Sequence, residues 1–248
     1  MQMSLKGKTA IVTGASRGIG RAIALKLGKL GASVAVNYAS NAKKAEEVAS
    51  EIRKNEGRAE TFKADIREIR QIESLFNRTM EKFGKVNILV NNAGTILFKK
   101  VEAVTEAEFD DIFASNVKGL FFACQQAALK LSDGGRVINI SSSVTKVMMP
   151  NYGPYAATKA AVEQLTKVLA KELGHRGITV NSISPGPTDT ELFRKGKTEE
   201  QISYMANMAA FGRLGTPEDI ADAVALLISE DADWITGQNI CVNGGFVA

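Results

Sequence analysis

Apolar residues return along this chain in two alternating rhythms. Short, nearly unbroken aliphatic runs recur, and between them lie longer stretches whose apolar positions come back every three or four residues. The first rhythm predicts strands at 9–14, 32–38, 58–65, 86–94, 135–143, 177–186 and 238–245. The second predicts helices at about 18–30, 41–56, 68–83, 105–131, 155–173 and 217–229. Gly31, Gly57, Gly84 and Gly177 stand at helix ends or in the turns that follow. Four strand segments are almost wholly apolar, as a parallel sheet covered on both faces requires. Alternating strands and helices joined by right-handed crossovers give a doubly wound α/β sheet of the Rossmann type, spanning 1–248 as one domain.

Composition narrows the chemistry. The chain has 248 residues, 45% of them hydrophobic, enough for one substantial core. Its net charge is +4 without a long run of like charges, so nucleic acid is not an expected partner. Cys124 and Cys241 are isolated and His175 is the single histidine, so neither a disulfide framework nor a metal site is expected. No apolar stretch reaches the length of a membrane span, and the start "MQMSLKGKTA" lacks a leader's apolar core. A soluble cytoplasmic protein is the expectation.

The first strand runs into "TGASRGIG" at 13–20, with glycines at 14, 18 and 20 where the first helix begins. Such a turn lets backbone approach a pyrophosphate and sets it at the positive end of a helix. Gly14, Ser16, Arg17, Gly18, Ile19 and Gly20 are therefore candidate cofactor contacts. An NAD site usually offers a carboxylate after the second strand for the ribose 2′-hydroxyl. Here "VNYAS" at 36–40 has none. Arg17 is placed to face a 2′-phosphate instead, with Asn37, Tyr38 and Ser40 adding neutral contacts, so NADP(H) is favoured over NAD(H).

One more pair stands out. Tyr155 and Lys159, in "YAATK", lie four residues apart on a predicted helix, and so on one face. Taken together, "TGASRGIG", "NNAG" (91–94), Asn116, the serines at 141–143, "YAATK", "SPGPTDT" (184–190) and "NGG" (243–245) resemble the short-chain dehydrogenase/reductase family. The resemblance runs through the whole chain and implies a seven-stranded Rossmann-type fold. It implies a catalytic tetrad of Asn116, Ser142, Tyr155 and Lys159; Ser142 is taken from the three serines because it stands 13 residues before the tyrosine. Strand alternation alone sets Ser141 apart but leaves Ser142 and Ser143 undecided. The resemblance further implies cofactor contacts at Asn92, Ala93 and Gly94, at Asp65 and Ile66 beside adenine, and at Pro185, Gly186, Thr188 and Thr190. Tyr155 and Lys159 would serve the nicotinamide ribose as well as the chemistry.

The implied reaction is reduction of a ketone or aldehyde. Tyr155 donates the proton, Lys159 lowers its pKa, Ser142 polarises the carbonyl and Asn116 anchors a proton-relaying water. The pattern is similar both to 3-oxoacyl-acyl-carrier-protein reductases and to broad aldehyde/ketone reductases. Lys99, Lys100, Arg194, Lys195 and Lys197 would form the docking patch in the carrier-linked case. An NAD-dependent alcohol, sugar or steroid dehydrogenase and a non-catalytic dinucleotide sensor are the other readings. The segment 188–215 is expected to be a substrate lid, with Leu192, Phe193, Tyr204, Met205 and Met208 facing Met148, Met149 and Tyr152, unless these simply pack a core. A homotetramer is implied, built on the helices at about 105–131 and 155–173 and on the apolar end "GGFVA".

Overall fold

The computed structural model describes residues 4–247. In chain order the elements are β1 (Thr9–Val12), α1 (Gly18–Lys29), β2 (Ser33–Tyr38), α2 (Ala42–Lys54), β3 (Arg58–Lys63), α3 (Ile69–Phe83) and β4 (Val86–Asn91). There follow α4 (Glu106–Phe113), a π-turn (Ala114–Lys118), α5 (Gly119–Lys130), β5 (Leu131–Ile140), α6 (Val144–Val147), α7 (Gly153–Leu173) and β6 (Thr179–Pro185). The chain closes with α8 (Glu191–Arg194), α9 (Glu199–Asn207), α10 (Pro217–Leu227) and β7 (Asn239–Val242).

All seven strands are parallel, in the order β3-β2-β1-β4-β5-β6-β7. Side-chain alternation explains why the strands read as continuous apolar runs. Val12, Val34, Val36 and Val90 face one core with Ile23, Leu27, Val48 and Val224. Their immediate neighbours Ile11, Ala35 and Leu89 face a second core with Leu75, Phe76, Leu120 and Val162. Both faces are buried, so both registers must be apolar. Each such valine, leucine, isoleucine or phenylalanine contributes roughly 1.5–3 kcal/mol relative to exposure.

Strand order reverses between β1 and β4, so the loops after these strands diverge and open a crevice at the carboxyl edge of the sheet. That crevice holds the site.

Two predicted helices differ from expectation. The stretch 105–131 is not continuous: the π-turn interrupts it and carries Asn116. Asn116 Oδ1 accepts from the Thr95 amide (2.8 Å) and its Nδ2 donates to the Thr95 carbonyl (2.9 Å), tethering the turn to the loop after β4. One extra residue in a turn leaves hydrophobic periodicity almost unchanged, which is why the pattern misses it. Helix α7 starts two residues early because Pro154 suits a first helical turn. Among the described residues no helix is long and apolar enough to cross a membrane. Ala248, the last residue of the apolar end, lies outside the described residues.

Candidate active site

At the carboxyl edge a single cavity of about 580 Å³ runs from the first crossover to the segment after β6. Its near end is built from backbone. Gly14 (φ 63°) and Gly18 (φ 53°) adopt left-handed conformations that favour glycine. A Cβ on Gly20 would collide with Asn92 Nδ2 and the Gly14 carbonyl. The Thr13 hydroxyl accepts from the amides of Asn92 (2.9 Å) and Ala93 (3.0 Å), while Asn92 Nδ2 donates to the Thr13 and Gly14 carbonyls. These bonds lock the ends of β1 and β4 together. At the start of α1, Arg17 is extended and makes no side-chain cap, so the first-turn amides point at the cavity uncapped.

Gly14, Ser16, Arg17, Gly18, Ile19, Gly20, Tyr38, Ser40, Asp65, Ile66, Asn92, Ala93, Gly94, Pro185, Gly186, Thr188 and Thr190 all line this cavity. Asn37 does not, and its expected contact is corrected. It is 1% exposed, accepting from the Gly14 amide (3.2 Å) and donating to the Phe62 and Ala64 carbonyls. Its polar atoms shape the glycine turn from behind. Asp65 is gripped by Arg67, which holds its carboxyl below the usual value.

Tyr155, Lys159 and Ser142 meet at the middle of the cavity. Lys159 is 5% exposed; its Nζ donates to the Ile140 carbonyl (2.8 Å) and lies 5.8 Å from the Tyr155 ring centroid. Burial lowers its pKa to about 8. Burial also raises Tyr155 to about 12, against a lowering hydrogen bond with Ser142. Desolvation is thus the largest influence on the phenol within the protein itself, and the phenol keeps its proton. Of the three serines, Ser141 and Ser143 are buried and donate to Glu163 and to the Ser184 carbonyl. Ser142 accepts from the Val144 amide and is bonded toward Tyr155. Asn116 sits behind the cavity wall, bonded to Thr95 and to the Thr158 hydroxyl. A Cβ on Gly94 would lie 3.0 Å from Asn116 Oδ1 and 3.7 Å from Lys159 Nζ.

The far end is apolar. Met149, Tyr152, Leu192, Phe193 and Met205 line it as anticipated. Met148 is 85% exposed with φ 52°, and Tyr204 and Met208 also face outward, so these three drop from the wall. Sequence reasoning missed Ile96, Val144, Val147 and Phe246. Phe246 arrives through a turn in which Asn243 accepts from the Gly245 amide and donates to the Val247 carbonyl, a contact distant in sequence that no local pattern announces. Glu191 and Lys44 were missed as well. The Glu191 carboxylate lies 2.7 Å from Lys44 Nζ and 3.7 Å from Arg17 Nη1 at the rim. Of the anticipated basic patch, Lys99 pairs with Glu108, Lys100 with Glu102, and Arg194 with Asp189 and Glu199, whereas Lys195 and Lys197 meet no carboxylate among the described residues.

The site thus sets the glycine-built first crossover of a doubly wound sheet, a half-buried tyrosine and a buried lysine in one cavity. A family model described as enoyl-(acyl carrier protein) reductase matches residues 14–247. The hydroxynaphthalene reductase-like protein Arp2 of Metarhizium brunneum (strain ARSEF 3297) is 42% identical, covering 98% of this chain and 96% of its own. The chloroplastic NADPH-dependent aldehyde reductase-like protein of Arabidopsis thaliana is 44% identical over 99% and 96%. The crystal structure of the angucycline C-6 ketoreductase LanV with bound NADP superposes with a TM-score of 0.93 at 45% identity, covering 98% and 96%. The chain belongs to the short-chain dehydrogenase/reductase family.

Proposed function

We propose that this protein is an NADPH-dependent reductase of bulky, largely apolar ketones or aldehydes. The observation that carries the reading is the placing of Tyr155, Lys159 and Ser142 midway along one cavity, between a glycine cradle and an apolar wall. The cradle suits a dinucleotide: left-handed glycines, a collision awaiting any Cβ at Gly20, and uncapped amides at the start of α1. Arg17 and the carboxylate-free Tyr38–Ala39–Ser40 turn favour a 2′-phosphate. Lys44 adds a second cation at that rim, where both cations flank the Glu191 carboxylate that a 2′-phosphate would displace.

When bound, the reduced nicotinamide supplies the hydride. Ser142 donates to the substrate oxygen and holds it toward Tyr155. The phenol, kept protonated by burial, gives its proton as negative charge grows on that oxygen. Lys159 orients the tyrosine and hydrogen-bonds ribose hydroxyls. Asn116 fixes the π-turn against Thr95 and thereby the wall beside Lys159.

Lid behaviour for 188–215 is supported by its anchoring. Its ends are pinned where Asp189 N donates to the Gly215 carbonyl (2.8 Å) and Gly215 N to the Pro187 carbonyl (2.9 Å), while α8 and α9 between them project Phe193 and Met205 inward. Relatives named for a hydroxynaphthalene and an angucycline support a bulky cyclic ketone. Pairing of Lys99, Lys100 and Arg194 leaves Lys195 and Lys197 as the charge a carrier-protein partner would meet. Exposed Phe109, Phe121, Leu129 and Val168 on α4, α5 and α7 support the homotetramer, which light scattering tests.

NADPH oxidation is followed with a fused-ring ketone, a short aliphatic aldehyde and an acetoacetyl thioester. The expected order of kcat/KM is that order; a thioester preferred by tenfold or more overturns the substrate reading.

A further inference from the structure

Tyr155 and Lys159 are followed one further turn along α7 by Glu163. Its Oε1 accepts from Ser141 Oγ (2.8 Å) and Thr145 Oγ1 (2.8 Å), and Ser184 Oγ lies 3.3 Å away. Each hydroxyl has one proton to give. Ser141 has the Lys159 carbonyl as an alternative at 3.3 Å, and Thr145 has the Ser142 carbonyl at 3.1 Å. Both are nearer the carboxylate, an acceptor that binds O–H donors more strongly than a carbonyl does. Ser184 has its shorter bond to Asn239 Oδ1 (2.8 Å).

One carboxylate oxygen therefore grips the chain on both sides of Ser142. Residue 141 follows the end of β5 and residue 145 lies in α6, so the chain between them passes from strand to helix. The amide of Ser141 still bonds the Ile183 carbonyl and that of Ser143 the Pro185 carbonyl, tying the segment to β6. Beyond the Lys159 Nζ bond to the Ile140 carbonyl, Glu163 ties both flanks of Ser142 to the helix that carries Tyr155 and Lys159. We propose that Glu163 is a positioning residue that fixes the Ser142 hydroxyl relative to the Tyr155 phenol by clamping Ser141 and Thr145 to α7. The proposal rests on the reading that Ser142 polarises the substrate carbonyl.

A double-mutant cycle tests it, with kcat for the preferred ketone and NADPH affinity by fluorescence titration read for each variant. Glu163→Ala is expected to lower kcat about tenfold, because small displacements of a catalytic group are costly. NADPH affinity should move by less than about twofold, since Glu163 lies off the cradle. Glu163→Gln keeps an acceptor oxygen at the same reach and should stay within about threefold of the parent kcat. In a Ser142→Ala background, Glu163→Ala should add less than about twofold, because the group it positions is gone. A merely structural role would cost the same factor in both backgrounds, and that result overturns the clamp, as does a loss of NADPH affinity equal to the loss in kcat. Ser142→Ala with unchanged kcat overturns the underlying reading, and the clamp with it. Should Glu163→Ala fail to fold, Thr145→Val enters the same cycle, with about threefold expected alone and under about 1.5-fold with Ser142→Ala.

Discussion

The two ends of the cavity are built on different principles. At the dinucleotide end, glycine backbone, strand termini and fully buried amides such as Asn37 set the shape, and side chains only line it. At the substrate end, shape comes from the side chains of α6, α8 and α9 and from Phe246 near the chain end, on short elements set between turns. Backbone-built surface tolerates few residue types, because each position demands a particular φ or a missing Cβ. Side-chain-built surface tolerates many. A fixed reagent and an exchangeable substrate call for that division.

Tyr155 stands where the two ends meet, and changing it should have the largest effect. Tyr155→Phe is expected to lower kcat about 10³-fold or more while NADPH titration stays within about twofold, since only the proton donor is removed. Substantial residual turnover would move the chemistry elsewhere in the cavity. At the dinucleotide end, Gly20→Ala drives a methyl into Asn92 Nδ2 and the Gly14 carbonyl, which are hydrogen-bonded to each other, Asn92 being held also by the Thr13 carbonyl. A stability loss of about 2–3 kcal/mol by denaturant titration is expected, together with failure to bind NADPH. An unchanged Gly20→Ala would break the contrast, because it would mean this wall can yield as the other does.

The buried lysine gives a pH signature. Lys159 titrates near 8 in the folded chain against an ordinary 10.5, so between those values the unfolded chain holds more protons. Its burial cost is fully present below pH 8 and is relieved as pH rises toward 10.5. Relative to Lys159→Met, the parent should therefore gain about 2 kcal/mol of stability between pH 8 and pH 10 without cofactor, read by urea titration at each pH. A flat difference would place the ammonium in water.

Arg17→Ala should weaken NADPH about 10–30-fold and leave NADH nearly unchanged, the loss of one charge-assisted phosphate contact. Equal losses for both cofactors would remove the 2′-phosphate assignment. Smallest of all, Phe193→Ala should raise KM for a fused-ring ketone about 3–10-fold with kcat largely kept, as expected for lost apolar contact on a deformable wall. If instead NADPH affinity fell by the same factor, the two ends would not be separable.

That same division explains what could be read in advance. The β/α alternation, the glycine turn and the Tyr155–Lys159 spacing were legible because each rests on local geometry: period, φ, or one helical turn. The bulge that seats Asn116 was not, since a single inserted residue barely disturbs the apolar rhythm of 105–131. Asn37 was misplaced because alternation says which face a strand residue takes, not whether its amide is already spent on the Gly14 turn. Met148 and Met149 are adjacent and chemically alike, yet only Met149 faces the cavity; the left-handed backbone at Met148 turns it outward.

The sequence by itself determined the sheet, its two covered faces, the dinucleotide cradle and the stripe on which Tyr155 and Lys159 stand, because these follow from short-range sterics and from where apolar side chains must be buried. Tertiary structure alone decided that Ile96, Val144, Val147 and Phe246 join the substrate wall while Met148 leaves it, that Asn37 is spent behind the glycine turn, and that burial raises Tyr155. Those outcomes depend on contacts between residues far apart in the chain and on how much water they exclude, which no local pattern records.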